Sequence, residues 1–135
     1  MAVKIWYCVF VHIDIAEFSA TQNHAFLDLL ILAMYADGHV SSPEDEQVQQ
    51  VLVAMGFSEE PARLREFDQA VARISPSIQS IPKAKELALG LADEFTVRPQ
   101  QKQVYAAVEQ IMTFDNHISA WENTLLMELR MKFRL

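Results

Sequence analysis

Apolar residues recur at the spacing of α-helices from residue 24 to the end of the chain. Residues 24–37 are apolar on nearly every side, with Asp28 as the interruption, which is typical of a central, buried helix. The linkers between helical segments are short, so the sequence predicts an all-α fold, a single-domain bundle of about six to seven helices. The further helices are predicted over residues 42–55, from Ser58 to Ile74, over about residues 82–95, from Pro99 and from Ala120.

Short local signals mark several helix ends. Residues 42–55 are followed by Gly56 and Phe57, the pattern of a left-handed glycine cap with an apolar residue folded back onto the helix. Ser58 and the two glutamates after it predict the next helix start, because acidic residues in a first turn complement the helix dipole. Helical spacing also predicts core positions for Leu64 and for the methionines Met34, Met55, Met112 and Met127.

The first 22 residues are treated as a separate N-terminal arm or extra element. Residues 5–11 are rich in β-branched and aromatic side chains, and the pattern leaves strand and helix open. Asp14 and Glu17 follow at once, and no signal-cleavage pattern is correctly placed, which argues against a secretory leader. No apolar stretch is long enough to span a bilayer, so we expect a cytoplasmic protein that is not membrane-spanning, with residues 23–135 as its helical domain.

One eight-residue segment occurs twice in the chain. The segment D-G-H-V-S-S-P-E at residues 37–44 recurs 78 residues later as D-N-H-I-S-A-W-E at residues 115–122. The similarity continues into the flanking helices, where Phe26 aligns with Val104. A helix, this connector and a second helix therefore form a unit that is present twice, which predicts two pseudo-symmetric helical hairpins.

Much of the connector has a purely structural explanation. Gly38 and Asn116 directly follow a predicted helix end, where glycine and asparagine tolerate the left-handed backbone conformation. Ser41 and Glu44 fit an S-x-x-E capping box, in which both side chains satisfy main-chain amides at the start of the second helix. In this interpretation, Glu44 and its equivalent Glu122 only serve the helix start.

Helix capping does not explain the two aspartates of the repeat. Asp37 and Asp115 fall at the carboxyl ends of their helices, where the dipole disfavours negative charge, and each lies on an apolar strip. Each needs a compensating partner, which is the amides of its own turn, a basic side chain or a bound cation. If the hairpins pack face to face, Asp37, Glu44, Asp115 and Glu122 converge as four oxygen donors for a hard divalent cation.

Two histidines recur beside the same positions. His39 and His117 would be additional ligands if the ion were zinc; the alternative is that they interact with free carbonyls at the helix ends. Calcium, magnesium and manganese are the other candidate ions. The connector is not an EF-hand loop, because the alternating acids that such a loop places before its glycine are missing.

Charge and composition narrow the classes of function. The net charge is −7; residues 1–62 contain nine acids against Lys4 alone, and the remaining residues contain nine acids and ten bases. This balance argues against nucleic-acid binding and suits a cation or a basic partner. The single cysteine, Cys8, excludes an internal disulfide. With no phosphate loop and no separated triad, no enzyme is expected, and metal-dependent hydrolysis is the remaining enzymatic option.

The segment Ala36-Asp37-Gly38-His39-Val40-Ser41-Ser42-Pro43-Glu44, with its second occurrence, resembles the TerB-like tellurite-resistance domains. The similarity covers about residues 24–56 and 104–133, and Asn116 departs from the glycine that is usual there. It implies pseudo-symmetric all-α hairpins and links to stress responses, to membrane partners at the cytoplasmic face and to a co-chaperone's helical domain. The acidic metal-binding positions of the family fall on Asp37, Glu44, Asp115 and Glu122.

The leading hypothesis is thus a non-enzymatic, metal-responsive interaction domain with protein partners, including partners at the cytoplasmic membrane face. The alternative is a metal-free helical adaptor whose acidic half docks a basic partner. A homodimer is a further assembly that the sequence leaves open, with the aromatic residues Trp6 and Tyr7 as the contact to test.

Overall fold

The computed structural model describes residues 18–36, 49–112 and 120–135, with side chains for 18–34, 49–110 and 122–135. In these ranges the chain forms helices and contains no strand, which confirms the predicted all-α class. Residues 49–54 are helical and a short 3₁₀ turn spans Ser75–Ser77. The other helices are α1 (Ala20–Ala36), α2 (Glu60–Ile74), α3 (Ile81–Ala92), α4 (Arg98–Met112) and α5 (Ala120–Phe133). The N-terminal arm before Phe18 lies outside the described residues.

The bundle is organised around α1. Every residue from Ala25 to Met34 is buried, as the apolar pattern of this segment predicts. The helix makes its most extensive contacts with α4, and also packs against α2, α3 and α5. Side chains that complete the core from the surrounding segments are Val51, Leu52, Ile74, Phe95, Val104, Val108, Leu129 and Phe133.

Helix α1 begins four residues before the predicted start, because a capping box fixes its first turn. The Ser19 hydroxyl accepts a hydrogen bond from the Gln22 amide at 3.1 Å, and the Gln22 side-chain oxygen accepts from the Ser19 amide at 3.0 Å. Ser19-Ala20-Thr21-Gln22 is an S-x-x-Q sequence, so the signal is present in the chain.

The starts of α2 and α3 follow the same local rules with one correction. The N-cap of α2 is Glu59 rather than the predicted Ser58, and its side chain makes no capping hydrogen bond. The N-cap of α3 is Ser80, whose hydroxyl accepts from the Lys83 amide at 3.3 Å. Gly90 lies inside α3, and a methyl group added there would meet no neighbouring atom within 4 Å.

Two of the predicted core positions are wrong. Leu64 is 50% exposed and Met127 is 54% exposed, although both lie at helical spacing from buried residues. Met34 is fully buried and Met55 packs against the core, as predicted. The Met112 side chain is outside the described part of the structure. Spacing identifies a helix face, whereas burial depends on whether another helix covers that face.

The second helix of each hairpin ends in the same backbone structure. Gly56 has a φ of +107°, and Arg134, 78 residues later, has a φ of +57°. The amides of the following residues, Phe57 and Leu135, each donate to the carbonyl five residues earlier at 3.0 Å. Both of these residues also pack against the core. The predicted glycine cap is therefore confirmed, and the repeat is visible as a structural equivalence.

No helix in the described part of the chain combines the length and apolar character needed to cross a membrane.

The two equivalent caps predict opposite effects of substitution. Gly56→Ala should lower the free energy of unfolding by about 1 kcal/mol, because a side chain disfavours the left-handed backbone even where space is open. Arg134→Gly should raise it by about 0.5 kcal/mol, because glycine relieves the strain but gains freedom in the unfolded chain. Urea denaturation monitored by circular dichroism measures both. Arg134→Ala is the matched control, since it removes the charge but keeps the strain; a gain as large as that of Arg134→Gly would contradict the explanation.

Candidate functional site

The first helices of the two hairpins, α1 and α4, start at the same end of the molecule. The Gln22 side-chain amide donates to the Glu94 carbonyl at 2.8 Å and to the Gln100 side-chain oxygen at 3.1 Å. The Phe18 ring lies 5.3 Å from the Phe95 ring, measured between centroids. Because their first turns meet and their packing is extensive, the two helices run side by side in the same direction.

The contact between Gln22 and Gln100 joins equivalent residues of the repeat, which are 78 positions apart. This contact places the first turns of the two copies beside each other, as a pseudo-two-fold axis between α1 and α4 would. Further along, Phe26 and its equivalent Val104 are both fully buried. The spacing of these positions continues along the same face of α1 towards its last residue, Ala36.

Most of the predicted ligands lie in the connectors that come after α1 and α4. Asp37 comes immediately after α1, and Asp115 comes three residues after the end of α4. The positions that lie outside the described residues are Asp37, His39, Glu44, Asp115 and His117. Within the described ranges, no three histidine, cysteine, aspartate or glutamate side chains form a group that could hold a metal ion.

Glu122 is the predicted ligand that the structure does describe. It lies in the first turn of α5, and only 1% of its surface is exposed. Leu126, Leu129 and Phe133 follow it on the same face of the helix and are also buried. The connector of the second hairpin thus turns a carboxylate inward, where the positive end of the α5 dipole favours its charge.

A second buried acid forms an ion pair that the sequence analysis did not find. Asp28 on α1 is 5% exposed, and it receives two hydrogen bonds from Arg73 on α2, at 2.7 and 3.0 Å. These hydrogen bonds and the negative charge of Asp28 raise the pKa of the Arg73 guanidinium, against the opposing effect of burial. The pair attaches α2 to the centre of α1, and its members are 45 residues apart, so no local pattern announces it.

A third group of titratable residues lies where α4 meets α5. Burial raises the pKa of Tyr105, and the negative charge of Glu109 raises it further, whereas the positive charge of Arg130 lowers it. Tyr105 and Glu109 belong to α4 and Arg130 belongs to α5, so the three side chains define the outer seam between these helices.

Comparison with known proteins gave no assignment. No protein-family model matches the chain, and neither a curated protein nor a solved structure matches it either. The resemblance to TerB-like domains therefore stays a prediction from the repeated connector.

The ion pair of Asp28 and Arg73 predicts that removing one partner lowers the stability of the protein more than removing both. Arg73→Met should lower the free energy of unfolding by about 3 kcal/mol, because it leaves the buried Asp28 carboxylate without its partner. The double variant Asp28→Leu/Arg73→Met should regain most of this loss, since neither charge of the pair then remains. Equilibrium unfolding in urea measures both values. A double variant that is less stable than Arg73→Met would contradict this account.

The contacts between α4 and α5 predict in which direction two substitutions change the pKa of Tyr105. In a Tyr7→Phe/Tyr35→Phe background, tyrosinate absorbance reports Tyr105 alone; Glu109→Gln should lower its pKa and Arg130→Gln should raise it. The folded protein disfavours the ionised phenol, so its contribution to stability is present below the usual pKa of 10.0 and is lost as the pH rises through the folded-state value. Shifts of the opposite sign would place these charges elsewhere.

Proposed function

We propose that this protein is a non-enzymatic interaction domain that responds to a divalent cation, of the kind that the TerB-like resemblance implies. The ion would be shared by Asp37 and Glu44 of the first connector and by Asp115 and Glu122 of the second. His39 and His117 would contribute if the ion is zinc. The observation that carries the proposal is the inward, 1% exposed carboxylate of Glu122 in a connector that the sequence repeats.

The arrangement of the hairpins supports a shared ion. Gln22 meets its equivalent Gln100, and the buried pair Phe26 and Val104 continues the same seam. If this pairing of equivalent positions continues beyond the helix ends, the two connectors approach each other near the pseudo-two-fold axis. Acidic side chains that meet there would repel one another, and a hard cation is the simplest compensation for oxygen donors.

The charge distribution supports a protein partner rather than a nucleic acid. The net charge of −7 disfavours contact with a phosphate backbone. The excess of acids lies in the first 62 residues, so occupation of the acidic cluster by a cation would reduce local repulsion. Ion binding would in this way change the surface that a partner meets. A cytoplasmic location and a role in stress responses belong to the same proposal.

Thermal unfolding with calcium, magnesium, manganese or zinc tests the ion directly. A ligand that binds only the folded state stabilises it by about 2.7 kcal/mol at a concentration one hundred times its Kd. We expect at least one of these ions to raise the Tm of the full chain at millimolar concentration. Glu122→Gln, and separately Asp37→Asn/Asp115→Asn, should abolish that shift.

The control for these variants is Glu86→Gln, which makes the same chemical change at an exposed position of α3. It should keep the shift in Tm that the parent shows. A Tm that does not change with any of the four ions would overturn the proposal and leave the metal-free adaptor as the explanation. A shift that survives both the Glu122→Gln and the double aspartate substitutions would also overturn it, since the ion would then bind elsewhere.

A further inference from the structure

The pseudo-symmetry allows the same surface to be compared in the two hairpins. In the first hairpin, α2 lies across the outer groove between α1 and residues 49–54. Arg73 of α2 bonds Asp28 on one side, and Arg63 of α2 bonds the Gln49 side chain on the other side at 2.8 Å. The first hairpin therefore shows that this groove accommodates an α-helix.

The floor of that groove is apolar in the first hairpin. Leu27, Ile31 and Leu52 are each no more than 1% exposed. Leu27 and Ile31 lie beside Asp28 on α1, and Leu52 lies one turn after Gln49, so the three are close in helical spacing to the two residues that α2 bonds. A covered groove thus uses three large aliphatic residues.

The equivalent groove of the second hairpin lies between α4 and α5, and no helix of the described ranges covers it. The residues that replace Leu27, Ile31 and Leu52 are Tyr105, Glu109 and Arg130, each 78 positions later. Glu109 and Arg130 are exposed, and Tyr105 is half-buried. The floor is polar here, as expected for a surface in contact with water.

Apolar groups nevertheless remain along this groove. The residue equivalent to Gln49 is Met127, which is 54% exposed. Ala106, the equivalent of Asp28, is exposed on α4. Methionine is flexible and polarisable, so exposed methionines can adapt to the apolar face of a partner helix.

The groove is also basic, in a protein whose net charge is −7. In the described residues, the exposed cations on or next to α4 and α5 are Arg98, Lys102, Arg130, Lys132 and Arg134. Lys132 pairs with Asp93, and the exposed carboxylate on these two helices is Glu109. Arg98 reaches from α4 to the end of α5, where it donates to the main-chain carbonyls of Phe133 and Arg134. These bonds hold the two helix ends together without neutralising the guanidinium.

We propose that the basic groove between α4 and α5 docks an acidic amphipathic helix of a partner protein. The fit to a helix follows from the equivalent groove, which α2 fills within this chain. The preference for acidic residues follows from charge complementarity with Arg98, Lys102, Arg130 and Arg134. Met127 and Ala106 would contact the apolar face of the incoming helix. This surface is separate from the proposed ion site, and the inference does not depend on it.

A display library of helices tests the proposal by revealing which charge the groove selects. The library would hold 18-residue peptides with a fixed apolar stripe and all other positions randomised. We expect selection on the full chain to enrich peptides of net negative charge that bind with a micromolar Kd and weaken as salt is added. Enrichment of basic or neutral peptides, or of none, would overturn the proposal.

Variants then test where the selected peptides bind. Lys102→Glu/Arg130→Glu should weaken binding at least tenfold, and Met127→Ser, at an exposed position, should also weaken binding without any change of charge. The matched control is Arg65→Glu/Lys83→Glu, which reverses the charge of two exposed residues on α2 and α3 and should change the Kd less than twofold. Equal losses in the control would overturn the assignment. Binding of the wild type to anionic phosphatidylglycerol vesicles, with no selected peptide, would assign the face to lipid instead.

Discussion

The burial of α1 against α4 is the contact on which the rest of the structure depends. Ten consecutive residues of α1, from Ala25 to Met34, are buried, so this helix has no stable existence apart from the helices that surround it. The bonds of Gln22 hold the start of α4 beside the start of α1, so the equivalent helices of the two hairpins lie next to each other. Because the two helices run in the same direction, the connector residues that follow them are the candidates to lie close together.

The two halves pack in a similar way but carry different side chains on their outer faces. In the first half, the ion pair of Asp28 and Arg73 holds α2 over an aliphatic floor. In the second half, Tyr105, Glu109 and Arg130 replace that floor; Glu109 and Arg130 are exposed and Tyr105 is half-buried, so the groove is compatible with water. In the described residues, the halves therefore share the backbone structure of the caps at Gly56 and Arg134 but differ in what each surface can contact.

Local features of the fold could be predicted from the sequence, and long-range ones could not. The helices, the cap at Gly56 and the repeat follow from patterns a few residues long, and the structure confirms them. The exposure of Leu64 and Met127, and the pairing of Asp28 with Arg73, depend on which helices lie together. Of the candidate site, the sequence predicted Glu122 as a ligand and left a helix-capping role open, because spacing alone does not reveal that this residue is buried.

The hydrogen bond between Gln22 and Gln100 has the form of a contact that a symmetric dimer makes with itself. The fold can be regarded as two subunits joined in one polypeptide. In a dimer of identical subunits, one mutation changes both surfaces at once. In a single chain, the surface of each half can change without the other. The outer faces differ in that α2 covers one groove, whereas no helix of the described ranges covers the other, while Gln22 and Gln100 still have to fit each other. One chain thus presents two different outer surfaces around a centre in which equivalent residues contact each other.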